Sequence, residues 1–168
     1  MITYSIVTQV PVAARAAHAF LRLPQSHVRL NERIRAVNVL SSRERSGDAS
    51  GSTDADAGSG VLEHECEFVD EVRVCCCQVV KRLPITFAVH DATRTVRITA
   101  VASGVNVHHV YVCEDSSDGG CLVRHVVQIA VPWYLVALKA WVRRTAQDAH
   151  EACDARLLND HILQEMRR

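Results

Sequence analysis

The chemistry open to this chain rests on a few polar side chains set into apolar strands. Val105, Val107, His109, Tyr111 and Cys113 alternate along one run, so in an extended segment all five share a face. If that face looks inward, His109 and Tyr111 stand as polar groups in an apolar hollow, where they orient a carbonyl by hydrogen bonding or act as acid and base near neutral pH. The alternative is a Tyr whose hydroxyl reaches solvent and a His bonded to backbone. His108, Val110 and Val112 make the other face nearly as apolar and leave that parity open. In a later run, Val123, His125, Val127, Ile129 and Val131 form a more continuous apolar set than Leu122, Arg124, Val126, Gln128 and Ala130. This turns His125 inward and leaves Arg124 as a solvated strand residue. His109, Tyr111 and His125 are therefore the candidate catalytic residues. The candidates for contact with a substrate are Val107, Phe87, Val127, Ile129, Trp133, Tyr134, Leu138 and Trp141. Trp133 and Tyr134 fall at a strand–helix corner, near the rim of any hollow; for Trp141, core packing is the stronger expectation.

Other chemistries fit less well. Nine histidines and seven cysteines invite a metal, but no Cys-x-x-Cys or His-x-x-x-His pair is present. Cys75, Cys76 and Cys77 are adjacent, and neighbours on a strand point to opposite faces, so they read as a strand end with small thiols. There is no Gly-x-Ser-x-Gly elbow and no Gly-rich phosphate loop. Glu63, Glu65 and Glu67 alternate along one strand and read as a solvated stripe. No cofactor motif appears, so none is expected.

These residues need strands and a helix to hold them. Ile2, Tyr4 and Ile6 alternate with Thr3 and Ser5 in a first strand that Pro11 ends. Pro11 to Leu23 is Ala-rich with helical spacing, Pro24 breaks it, and Gln25 to Leu30 reads as a second short helix. A strand from Ile34 to Arg43 follows. Ser46 to Gly60 holds only Ser, Gly, Asp, Ala, Thr, a composition that reads as a mobile insertion. Strands are expected at Val61 to Val74, Leu83 to Asp91, Thr95 to Ala102, Val105 to Glu114 and Cys121 to Val131, with Gly104, Gly119 and Gly120 at hairpin turns. Trp133 to Arg168 reads as one closing helix. Its sheet-facing side is expected to carry Leu138, Trp141, Val142, Thr145, Ala149, Ala152 and Cys153, with Arg143, Arg144, Gln147, Asp148 and Glu151 opposite. This order describes an α+β helix-grip fold: a curved antiparallel sheet of about seven strands around a long C-terminal helix, with a hollow between them.

Composition bounds the rest. The 168 residues make one domain with room for a core. Aromatic content of 5% is low, so Val, Leu, Ile and Ala must fill the interior or leave part of it empty. Lys plus Arg equals Asp plus Glu at 19 each, which argues against nucleic acid as a partner and is compatible with a homodimer. No signal peptide is visible, and the longest apolar run, Ile129 to Leu138, is about half of the roughly 20 residues a membrane span needs. A cytoplasmic protein with free thiols is expected.

The segments Phe87-Ala88-Val89-His90-Asp91, Thr99 to Val107, and Trp141-Val142-Arg143-Arg144-Thr145 with Ala149-His150 carry a resemblance. With the layout as a whole, they are similar to the START and polyketide-cyclase-like superfamily, which includes the birch-pollen allergen fold, and within it to a fungal domain family of uncharacterised function. They are turn, strand and helix patterns covering roughly residues 61 to 155, and none is a catalytic signature. The resemblance implies an internal cavity for sterols, lipids, hormones or polyketides, and in some members ring closure. It also implies acidic residues along the last strand, where this chain instead has His125, Val126, Val127 and Gln128.

The expected function is thus binding of an apolar small molecule and its cofactor-independent cyclisation, by a pericyclase such as a Diels–Alderase of fungal secondary metabolism. Holding two ends of one molecule in reactive geometry removes several kcal/mol of barrier, up to roughly 7–11 in ideal cases. One hydrogen bond to a developing oxyanion adds about 3 kcal/mol. The competing expectations are a non-catalytic carrier or sensor of lipid, terpenoid or polyketide, and an interaction domain with a filled core.

Overall fold

The computed structural model describes residues 1–45, 60–74, 77–102 and 104–167; the side chains of 71–74, 77–79, 102, 135, 136 and 138 are not described. The expected insertion at 46–60 therefore lies, Gly60 apart, outside the described residues, as do Cys75 and Cys76 and the side chain of Leu138.

Seven strands form one antiparallel sheet: β1 (Ile2–Val10), β2 (Ile34–Arg45), β3 (Val61–Val74), β4 (Cys77–His90), β5 (Thr95–Ala102), β6 (Val105–Asp115) and β7 (Cys121–Ala130). The spatial order is β1-β7-β6-β5-β4-β3-β2, a meander from β2 to β7 with the first strand added beside the last. Four α-helices complete the fold: α1 (Ala14–Leu21), α2 (His27–Leu30), α3 (Lys139–Ala155) and α4 (Asp160–Met166). Short 3-10 turns at Pro24–Ser26, Trp133–Leu138 and Arg156–Leu158 link them.

Period-two alternation selects the inner face of the sheet. Along β7, Cys121, Val123, His125, Val127 and Ile129 are buried, while Arg124 is exposed and paired with Glu114 on β6. Phe87 on β4 and Ile98 on β5 continue this face laterally. On the other face of β3, Glu63 pairs with Arg43 and Arg45, and Glu67 with Arg82. The acidic stripe is thus laced to its neighbours, and the edge strand β2 carries charge and two register shifts, both of which discourage pairing with another sheet.

The interior divides in two. A larger apolar cluster lies under α1, α2 and α4 and includes Leu21, Leu30, Phe87, Val123 and Leu163. A smaller one, of Ile2, Tyr4, Val127 and Ile129, is flanked by Val105, Val107, Val131 and two residues of α3, Val142 and Ala146.

Two expectations about the closing helix need correction. It is not continuous from Trp133 to Arg168. Asn159 is extended (φ −68, ψ 133), and its side chain accepts a hydrogen bond from the His161 N–H at 3.0 Å, capping α4. Asn followed by Asp in a first turn is a helix start, which outweighs continuation of α3. The sheet-facing side is also rotated: Val142, Ala146, His150, Cys153 and Asp154 turn inward, whereas Trp141, Thr145, Ala149 and Ala152 are exposed. Trp141, at 65% exposed, is not a core residue.

Gly104 (φ +78) and Gly119 (φ +80) make hairpin turns in the left-handed region, as expected of glycine. Gly120 is needed for a different reason: a Cβ there would lie 2.7 Å from the Val10 carbonyl oxygen. Gly120→Ala is expected to push β7 from β1 at the start of their register and to cost about 1–3 kcal/mol. A thermal midpoint unchanged from the parent would contradict this packing.

Candidate active site

Between the two apolar clusters lies a knot of polar rings drawn from five elements. Tyr4 comes from β1, His27 from α2, His109 and Tyr111 from β6, His125 from β7, and His150 and Asp154 from α3. Strand pairing sets most of it. Tyr111 and His125 are register partners across β6 and β7, and their rings stack 4.0 Å apart at 16°. His109 is opposite Val127, one inward position along, which brings its ring to 5.3 Å from that of His125.

A directed hydrogen-bond chain runs through these rings. Asp154 Oδ2 lies 2.8 Å from His125 Nδ1, and His125 Nε2 lies 3.0 Å from His109 Nδ1. The carboxylate is an acceptor only, so His125 Nδ1 carries a proton. With His125 neutral, its Nε2 accepts and His109 Nδ1–H donates. This assigns the lone pair of His109 to Nε2, which has no hydrogen bond among the described residues. His125 and Asp154 are essentially inaccessible, at 0% and 2%, while His109 keeps partial exposure. The end of the chain is therefore the part a ligand can reach.

A second pair faces it. The Tyr4 hydroxyl donates to His150 Nδ1, which assigns the proton of neutral His150 to Nε2. The His109 and His150 rings meet edge to face at 4.9 Å. One accessible ring thus offers a lone pair and its neighbour an N–H.

Electrostatics keeps the outer rings of this site neutral at neutral pH. Burial, then the neighbouring His125 and His150, keeps His109 well below the usual imidazole range. Burial, then His125, lowers His150 to about 4. His27 is lowered to about 4 by burial, against the opposing effect of its 3.0 Å hydrogen bond to the Leu21 carbonyl. Burial, reinforced by the negative charge of Asp154, raises the Tyr111 and Tyr4 hydroxyls, so both stay protonated. Asp154 Oδ1 is buried without a hydrogen-bond partner among the described residues.

The structure thus brings His109, Tyr111 and His125 together. Val107, Val127 and Ile129 lie beside them in or against the smaller cluster. Phe87 is fully buried in the larger cluster, with its ring 5.2 Å from that of His27. Trp133 and Tyr134 are exposed on the outer surface, 85% and 59%. Sequence reasoning missed Tyr4, His27, His150 and Asp154. For His150 and Asp154 a signal existed: with Val142 and Ala146 they form one i, i+4 stripe. Among the described residues, no three His, Cys, Asp or Glu are grouped so as to hold a metal ion.

No protein-family model matches the chain, and no curated protein does. Solved structures do. TTHA0849 from Thermus thermophilus superposes with a TM-score of 0.66 at 10% identity, covering 98% of this chain and 97% of that one. The Zhui aromatase/cyclase from Streptomyces sp. R1128 gives 0.56 at 14% identity over 99% and 94%. Norcoclaurine synthase from Thalictrum flavum gives 0.54 at 11% identity over 94% and 88%. The architecture they share with this chain is the helix-grip fold.

Proposed function

We propose that this domain, which has the fold of the START and polyketide-cyclase-like superfamily, binds an apolar chain bearing at least two carbonyl groups and closes a ring in it by proton transfer. The observation that carries this reading is the Asp154–His125–His109 chain ending at a partly exposed His109. A pericyclic Diels–Alder closure moves no proton and gives such a chain nothing to do, so a condensation is the better fit. Aromatase/cyclases and norcoclaurine synthase among the similar structures support ring-forming chemistry on this fold.

In the first step, His109 Nε2 takes a proton from the carbon beside one carbonyl, five or six atoms along the chain from the other. The resulting enolate carbon attacks the second carbonyl of the same chain, forming the C–C bond and converting that carbonyl oxygen to an alkoxide. His150 Nε2–H stabilises the alkoxide by hydrogen bonding, and the proton held on His109 then returns to it. During the intermediate, positive charge spreads from His109 to His125 beside Asp154, which is the role of the buried carboxylate. Tyr4 fixes the His150 tautomer, and Tyr111 holds the plane of His125 by stacking. Val107, Val127, Ile129 and Val142 supply the apolar wall that folds the chain, with Trp133, Tyr134, Leu138 and Trp141 proposed for the approach to it.

The test is incubation of the purified protein with a panel of apolar 1,5- and 1,6-dicarbonyl chains, with cyclised product followed by chromatography and mass spectrometry. Product formed faster than the spontaneous reaction is expected. Tight binding of the same chains with no turnover would overturn the catalytic reading in favour of a carrier.

A further inference from the structure

The start of α3 and the turn before it form an exposed surface outside the hydrogen-bonded histidine site. Trp133, Tyr134 and Trp141 are 85%, 59% and 65% exposed, and Val101, at the tip of the β5–β6 hairpin, is 53% exposed. The Tyr134 hydroxyl sits over that hairpin, 3.7 Å from where a Cβ of Gly104 would be. Large aromatics this open are unusual on a chain with only 5% aromatic residues. The charge beside them is one-sided. From Trp133 to Gln147 there are three cations, Lys139, Arg143 and Arg144, and no acidic residue, with Asp148 and Glu151 following in the next turn, although the chain as a whole is neutral. All three cations are exposed, and none forms an ion pair among the described residues.

We infer that this surface docks on an anionic lipid bilayer. Trp and Tyr rings combine an apolar body with a polar edge and settle at the headgroup level, while Lys and Arg meet lipid phosphates. An acidic protein would satisfy the cations equally. However, protruding indoles suit a fluid interface that deforms around them better than a partner that must offer a pocket for each. No helix among the described residues is long and apolar enough to cross a membrane, so the contact is peripheral. Val105, Val131 and Val142 of the smaller apolar cluster lie on the elements that carry this surface, so docking would set that side of the domain against the phase in which an apolar molecule is dissolved. The inference holds whether or not the histidines catalyse a reaction.

The chain has two tryptophans, and both are here, so their emission reads this surface directly. Vesicles of phosphatidylcholine with phosphatidylserine should co-sediment the protein and shift its emission to the blue, and added salt should reverse both effects. Arg143→Gln with Arg144→Gln should weaken vesicle binding roughly 25-fold, about fivefold per charge. Trp133→Ala with Trp141→Ala should abolish co-sedimentation, and, as these positions are exposed, neither double variant should lower the thermal midpoint by more than a degree or two. Failure to co-sediment with phosphatidylserine vesicles at low salt would overturn the inference. So would undiminished binding by the arginine variant, or a blue shift produced by an acidic polypeptide but not by vesicles. A blue shift that grows with protein concentration in the absence of lipid would show that a second copy covers the surface instead.

Discussion

His109→Ala is expected to lower the rate of ring closure by about 10²–10⁴, the usual contribution of a positioned general base, while leaving the fold intact. His109 keeps partial exposure, so its truncation leaves no sealed cavity. Asp154→Asn tests the other end of the chain. The amide still fills the space beside His125 Nδ1 but cannot offset positive charge there, so kcat should fall between the parent and His109→Ala with little change in KM. Asp154 is a positioning residue, and the pH profile separates that role from a merely structural one. In the parent, burial holds His109 unprotonated through neutral pH, so the rate should stay flat from pH 8 down to about 6. Loss of the carboxylate removes the group that stabilises the protonated relay and should depress the whole plateau. Equal turnover in the parent and His109→Ala would remove the proposed base.

The second large effect is acid destabilisation. His27 and His150 are held near 4 in the folded protein, and His109 is well below its usual range, whereas in the unfolded chain each returns to about 6.5. Above pH 6.5 these groups are neutral in both states and folding is unaffected by them. As the pH falls from 6.5 towards 4, the unfolded chain takes up protons that the folded protein does not, so stability decreases by ~1.4 kcal/mol per pH unit for each of His27 and His150. These two groups amount to a loss on the order of 5 kcal/mol by pH 4, comparable with the whole stability of many domains, and His109 acts in the same direction. Urea midpoints measured from pH 7.5 to 4.5 should fall steeply along this limb. His27→Gln with His150→Gln should flatten it, since glutamine still donates to the Leu21 carbonyl and does not titrate. A midpoint independent of pH in the parent would mean that these rings are solvated.

Much of the frame was legible from local pattern. The alternation in Ile2, Tyr4 and Ile6, the stop at Pro11, and the spans of β3 and β5 emerge where expected, because side-chain period and breaker residues act over a few positions. The inward parity of His125 was legible too, because five alternating residues outvote their neighbours. The helix was harder. Hydrophobicity favoured Trp141, Ala149 and Ala152 as its buried side, yet all three are exposed, and His150 and Asp154 lie inside. A scale that scores residues singly counts a buried His and Asp as errors. The protein buries them because His125 and Tyr4 satisfy them, and those partners are 25 or more residues away in sequence.

By itself, the sequence determined an antiparallel meander with a closing helix, and that His125 of β7 faces inward, since these follow from short-range periodicity; it left the parity of β6 open. Only the tertiary structure decided that the Asp154–His125–His109 chain and the Tyr4–His150 pair meet in one site. Two events absent from local pattern create it: β1 adds beside β7, and α3 turns the stripe from Val142 to Asp154 against the sheet. The rotation is set by hydrogen-bond satisfaction across the core, a property of pairs of residues that meet only after the chain has folded.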